Sequence, residues 1–78
     1  MTPGKLYKIK NNYWKWCLSE DKTKLLAYIG VKFSKGIPIN KKDLFLFVEC
    51  KNYKYKFIYK TYIIETIRTI EDDWELNK

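Results

Sequence analysis

Ser19-Glu20-Asp21-Lys22 carries the letters of a Ser-x-x-Lys pair, in which the amine would take the proton of an attacking hydroxyl. A lysine-rich chain produces that spacing by chance. The sequence holds no histidine, which removes the commonest general base, the Ser-His and Cys-His nucleophile pairs, and imidazole metal sites. Cys17 and Cys50 lie too far apart to build a structural zinc site by themselves. Each sits in an apolar, strand-like run, so buried thiols in a reducing compartment are expected rather than a bridge. Gly30 and Gly36 enclose a segment with the wrong spacing for a phosphate loop, and no Lys-Ser/Thr pair follows it. Glu71-Asp72-Asp73 with Glu75 offers carboxylates to a hard cation but lacks a glycine-turned loop, so an exposed acidic end over 71–78 is expected. These residues predict a protein that is not an enzyme and needs neither cofactor nor metal.

The remaining chemistry is that of surfaces. Tyr53, Tyr55, Phe57 and Tyr59 alternate with Lys54, Lys56, Ile58 and Lys60. Rings interleaved with ammonium groups can stack bases while the charges follow phosphates. The same alternation also fits a strand whose rings form the core and whose lysines form an exposed strip; Phe57 and Tyr55 are expected in that core. Lys8, Lys10 and Lys15 are candidates to extend the strip, with Tyr13, Trp14 and Trp16 nearby, and Lys41-Lys42 adds a basic pair in a loop. Net charge is +7. Residues 1–64 hold fourteen lysines against four carboxylates, and residues 65–78 are net acidic. Such a basic body favours anionic partners, although scattered lysines also serve solubility and protect strand edges. Fifteen of the sixteen basic residues are lysine. Lysine is a flexible point charge rather than a bidentate fork, so contact with a polyanion would be blind to sequence.

The elements that must position these groups read as short strands. The 78 residues make one domain, 1–78. Lys5–Lys10 is the first strand, followed by an Asn11-Asn12 turn. In Tyr13–Leu18, Trp14, Trp16 and Leu18 share one face. Leu25–Phe33 is apolar, and Ser34–Asp43 is the clearest loop. Leu44–Val48, apolar on both sides, is expected at the centre of the sheet. Lys51-Asn52 turns the chain into the Tyr53–Lys60 strand. Beyond Thr61 the pattern is ambiguous. Ile63, Ile67, Ile70 and Trp74 recur at helical spacing, yet Ile, Thr and Tyr favour strands. A short helical turn near Tyr62–Ile64 followed by a strand through Thr66–Ile70 is expected, with a continuous helix from Tyr62 to Trp74 as the alternative. Five strands in so short a chain suggest a mostly β fold, a small SH3-like or Sm-like five-stranded barrel with a short C-terminal helical turn or helix.

Pro3-Gly4-Lys5-Leu6-Tyr7-Lys8-Ile9 resembles the start of small SH3-like proteins encoded by tailed phages. Lys42-Asp43-Leu44-Phe45-Leu46-Phe47-Val48-Glu49 and Lys56-Phe57-Ile58-Tyr59-Lys60 are also similar to theirs, whereas Tyr62–Ile70 departs from their ending. The resemblance implies a barrel and a phage origin. No apolar leader opens the chain and Leu25–Val31 is too short to span a bilayer, so a cytoplasmic protein without membrane contact is expected. Its expected partner is an anionic ligand, either nucleic acid or a nucleotide held between copies of a homo-oligomer to counter host defence. A host or phage protein, or a place in a virion, is the alternative. The expected ligand-binding residues are Lys8, Lys10, Tyr13, Trp14, Lys15, Lys41, Lys42, Tyr53, Lys54, Lys56 and Lys60.

Overall fold

The structure, a computed structural model, describes residues 1–10, 15–28, 36–66 and 71–77. Its strands are β1 (Leu6–Ile9), β2 (Lys15–Leu18), β3 (Leu25–Tyr28), β4 (Ile37–Pro38), β5 (Phe45–Lys51), β6 (Lys54–Tyr59), β7 (Tyr62–Thr66) and β8 (Trp74–Leu76). They form two antiparallel sheets, one of five strands in the order β7-β6-β5-β1-β8 and one of three in the order β3-β2-β4. The apolar run after Leu44 does lie at the centre of the larger sheet. Strand number differs from the expected five. The loop before Leu44 contributes β4, and the C-terminal segment contributes both β7 and β8.

That segment corrects the expected helix. Tyr62–Thr66 pairs with β6 along its whole length, from Tyr59↔Tyr62 to Tyr55↔Thr66. Its Tyr, Ile and Thr side chains fit a pleated, half-buried surface, and pairing outweighs the helical spacing of the isoleucines. Among the described residues the helical structure is a three-residue 3₁₀ turn, Glu71–Asp73. Residues 67–70, and with them most of the expected Thr66–Ile70 strand, lie outside the described set, as does the Asn11-Asn12 turn. The acidic end is not a tail either. Glu71 takes an ion pair from the Met1 amino group, Asp73 is buried, and β8 pairs with β1.

Alternation decides which side chains go inside. Along β6, Tyr55, Phe57 and Tyr59 are buried. Opposite them on β5, Phe45 and Phe47 point the same way. Strict alternation beyond Phe47 would send Glu49 inward. A bulge between Phe47 and Glu49 absorbs one residue and pairs Glu49 with outward-facing Lys56 instead. The β5–β6 hairpin closes through Asn52 and Tyr53, both at positive φ (52° and 61°), the type I′ pattern. Asparagine tolerates that conformation; tyrosine is strained there. Tyr53 is 90% exposed, so it leaves the ring face that the sequence assigned to it.

Trp74 ties the chain's end to its middle. Its ring lies 4.4 Å from Phe57, 5.3 Å from Phe45 and 5.7 Å from Trp16 of the smaller sheet. Neither its indole N–H nor that of Trp16 finds an acceptor among the described residues, so Trp74 acts through packing. Leu18 and Leu25 complete the core from the smaller sheet. The sheets meet where the Glu65 N–H donates to the Thr23 carbonyl at 3.0 Å, beside a parallel bridge from Lys24 to Glu65. Cys17 is buried, and burial pushes its thiol up. Cys50 is free and exposed, contrary to expectation: the bulge sets it opposite buried Tyr55, but it lies one residue from the end of β5, at the rim of the core.

Two outcomes follow. Trp74→Ala should cost about 3–5 kcal/mol, a large part of the several kcal/mol expected for a chain of this size, and urea unfolding followed by circular dichroism should show a chain unfolded or nearly so at 25 °C. Tyr53→Gly should raise stability by about 1 kcal/mol in the same measurement, because glycine accepts the second type I′ position without strain.

Candidate anion-binding groove

The basic residues of β1 and of the turn before β5 line one open groove of about 440 Å³. Lys8 comes from β1, Lys10 directly follows it, and Lys41 and Lys42 come from the turn. Ile9 and Leu44 add apolar lining, and Glu75 on β8 is the carboxylate of the group. None of the four lysines forms an ion pair among the described residues. Glu75 stands opposite Lys8 in the β1–β8 register, so three positive charges remain uncompensated across the lining.

Each side of the groove is held in place by the backbone. On the β1 side, the Lys10 N–H donates to the Asp73 carbonyl at 2.8 Å and the Asn77 N–H to the Leu6 carbonyl at 2.9 Å. On the other side, Asn40–Asp43 is a four-residue turn closed by the Asp43 N–H donating to the Asn40 carbonyl at 2.9 Å. The Asn40 Oδ1 accepts from the Lys42 N–H at 2.9 Å, and Asp43 Oδ2 accepts from the Asn40 N–H at 3.0 Å. Lys41 and Lys42 occupy the two central positions and project from a braced frame.

That frame is anchored in the core. The Tyr59 hydroxyl donates to Asp43 Oδ2 at 2.6 Å, while its ring stacks on Phe45 with centroids 4.6 Å apart. Burial first, and then the hydrogen bond and charge of Asp43, push the Tyr59 phenol up to about 12. Sequence reading overlooked Asn40, Asp43 and Tyr59 as positioning residues. The Asn-x-x-Asp spacing was the available signal for the turn, but its link to Tyr59 spans sixteen residues and exists only after folding.

The structure separates the other expected site residues. Lys54 and Lys56 face outward on β6 and meet the chain's own carboxylates, Lys54 with Glu65 at 4.0 Å and Lys56 with Glu49 at 3.5 Å. They are therefore not a free basic strip. Lys60 lies in the β6–β7 turn with its ammonium 5.4 Å from the centre of the Tyr59 ring. Lys15 is exposed on the smaller sheet. Tyr53 stands at the opposite end of β5 from the groove. Tyr13 and Trp14 lie outside the described residues. Rings that would stack bases and lysines that would hold phosphates are thus not gathered in one place among the described residues.

Ser19 and Lys22 form a turn. The Ser19 hydroxyl donates to Asp21 at 2.6 Å and accepts from the N–H groups of Thr23 and Lys24, while Lys22 Nζ sits over the Tyr62 ring. The hydrogen bonds from Ser19, and then Thr23, hold the Asp21 carboxyl below its ordinary value. No metal-ligating cluster of three or more Cys, Asp or Glu exists among the described residues. Among them, no helix is long and apolar enough to cross a membrane.

The raised phenol fixes a pH dependence. The fold prefers neutral Tyr59, so its stabilisation is full below the ordinary tyrosine value near 10 and falls as pH rises towards about 12, because the unfolded chain loses that proton first. Burial raises Tyr55 as well, with the same sign. Urea midpoints should fall through that alkaline window, and Tyr59→Phe should shrink the fall. Compared with protein-family models, with curated proteins and with solved structures, this chain matches none.

Proposed function

We propose that this chain is a non-enzymatic binding domain whose basic groove takes a phosphate-bearing ligand, above all the backbone of a nucleic acid. One observation carries the reading: Lys8, Lys10, Lys41 and Lys42 line one groove and form no ion pair among the described residues, while Lys54 and Lys56 are matched by Glu65 and Glu49. Ammonium groups on flexible stems recognise charge rather than base identity. The groove is open to solvent and the rings of β5 and β6 are buried, which favours contact with phosphates over stacking. A nucleotide sequestered to blunt a host defence signal shares that chemistry and is the smaller form of the ligand.

In this reading the chain is an accessory protein of the phage SH3-like type, acting in the cytoplasm. The corner formed by the Thr23–Glu65 hydrogen bond and the Lys24–Glu65 bridge supports treating the two sheets as parts of one curled barrel. The competing role, docking onto a host or phage protein or into a virion, draws on Tyr53, a strained and exposed ring at a hairpin tip. Recovery of one stoichiometric, nuclease-insensitive protein partner would favour that role.

Fluorescence anisotropy with a labelled single strand tests the groove. If all four lysines neutralise phosphates, log affinity should fall with log salt at a slope of about −3. Lys8→Gln with Lys42→Gln should roughly halve that slope, and Lys54→Gln with Lys56→Gln should leave it unchanged. Absence of binding to DNA, RNA and nucleotides, salt-independent binding, or equal losses in both double variants would overturn the reading.

A further inference from the structure

The outward face of the five-stranded sheet carries a feature that the basic groove does not use. Register sets one aliphatic side chain from each of four adjacent strands into a single row: Leu6 opposite Leu46, Leu46 opposite Ile58, and Ile58 opposite Ile63. Leu6 is 40% exposed, Ile58 37% and Ile63 64%. None of the four belongs to the buried core cluster, and Leu46 is half-buried. With strands about 4.8 Å apart, the row makes an apolar stripe about 14 Å long. Beside it runs a charged row, Glu49, Lys56 and Glu65, on β5, β6 and β7.

We propose that this stripe is the interface of a twofold homodimer in which two copies pack face to face with their stripes antiparallel. A twofold contact uses the same patch on both copies, so the patch must complement itself. A twofold axis lying in the interface, along the strands and between β5 and β6, sets Ile63 against Leu6 of the second copy and Ile58 against its Leu46. Aliphatic meets aliphatic throughout. The same rotation sets Lys56 against Glu49 of the second copy, and Glu49 against its Lys56, so opposite charges meet at both central positions. Because Lys56 and Glu49 already stand opposite each other within one chain, the face is complementary to itself in both its apolar and its charged row, and a second copy is the occupant that matches both. Four short strands offer only a few hundred Å² per copy, less than the roughly 800 Å² of a standard stable interface. The dimer is therefore weak and set by concentration. This inference does not rest on the anion-binding reading.

Sedimentation velocity on the full chain, from about 5 μM to 1 mM, covers the range in which so small an interface associates. The mass should rise from the 9.5 kDa of one chain towards twice that value. Ile63→Lys, at an exposed position where the fold is preserved by circular dichroism, should raise the dissociation constant at least about tenfold, since it brings an unpaired charge into the stripe. Lys56→Glu and Glu49→Lys should each weaken association. The double exchange, which keeps the pair within the chain, should restore it. A mass of one chain throughout, association indifferent to Ile63→Lys, or a double exchange no better than the single ones would overturn the proposal.

Discussion

The contact between Trp74 and the rings of Phe57 and Phe45 is where this small fold is fastened. A chain of 78 residues has little interior, and large rings supply the most buried area per ordered residue. Tyr7, Phe45, Phe47, Tyr55, Phe57, Tyr59 and Trp74 are all buried in one cluster. Trp74 brings the last strand to that cluster, and β8 then lies beside β1. Because Trp16 also meets Trp74, the same residue draws the smaller sheet onto the larger one.

Burying the rings determines what is left outside. In an alternating strand each inward ring forces its neighbours towards water, which is how Lys8, Lys54 and Lys56 come to the surface. Their electrostatic roles then diverge according to what pairs beside them. On β6 the neighbouring strands offer Glu49 and Glu65, and the charges are balanced. At the end of β1 the neighbouring turn offers Lys41 and Lys42 instead, and charge accumulates. Tyr59 belongs to both regions, with its ring in the core and its hydroxyl on the carboxylate that braces the turn. Core packing and groove geometry are thereby linked through one side chain.

The bulge in β5 has a comparable reach. By turning Glu49 outward it keeps a carboxylate out of the ring cluster and gives Lys56 its partner. The row of Leu6, Leu46, Ile58 and Ile63 sits directly beside this pair. One face of the sheet thus combines an apolar line with a charge pattern that is its own complement, while the excess positive charge gathers around the end of β1.

The residues alone determined the β character, the central place of the Leu44–Val48 run and the burial of Tyr55 and Phe57, because period-two alternation is a local property that pairing preserves. They also supplied the lysines, though not their grouping. Lys8 and Lys41 are far apart along the chain, and only the pairing of β1 with β5 brings the turn before β5 to the end of β1. Tertiary structure likewise decided that Lys54 and Lys56 each stand beside a carboxylate, that Tyr53 leaves the ring face at a type I′ turn, and that Tyr62–Thr66 is a strand despite isoleucines at helical spacing. Each of these outcomes depends on register between strands. Register is fixed by turns, a bulge and the packing of rings together, so no single stretch of sequence contains it.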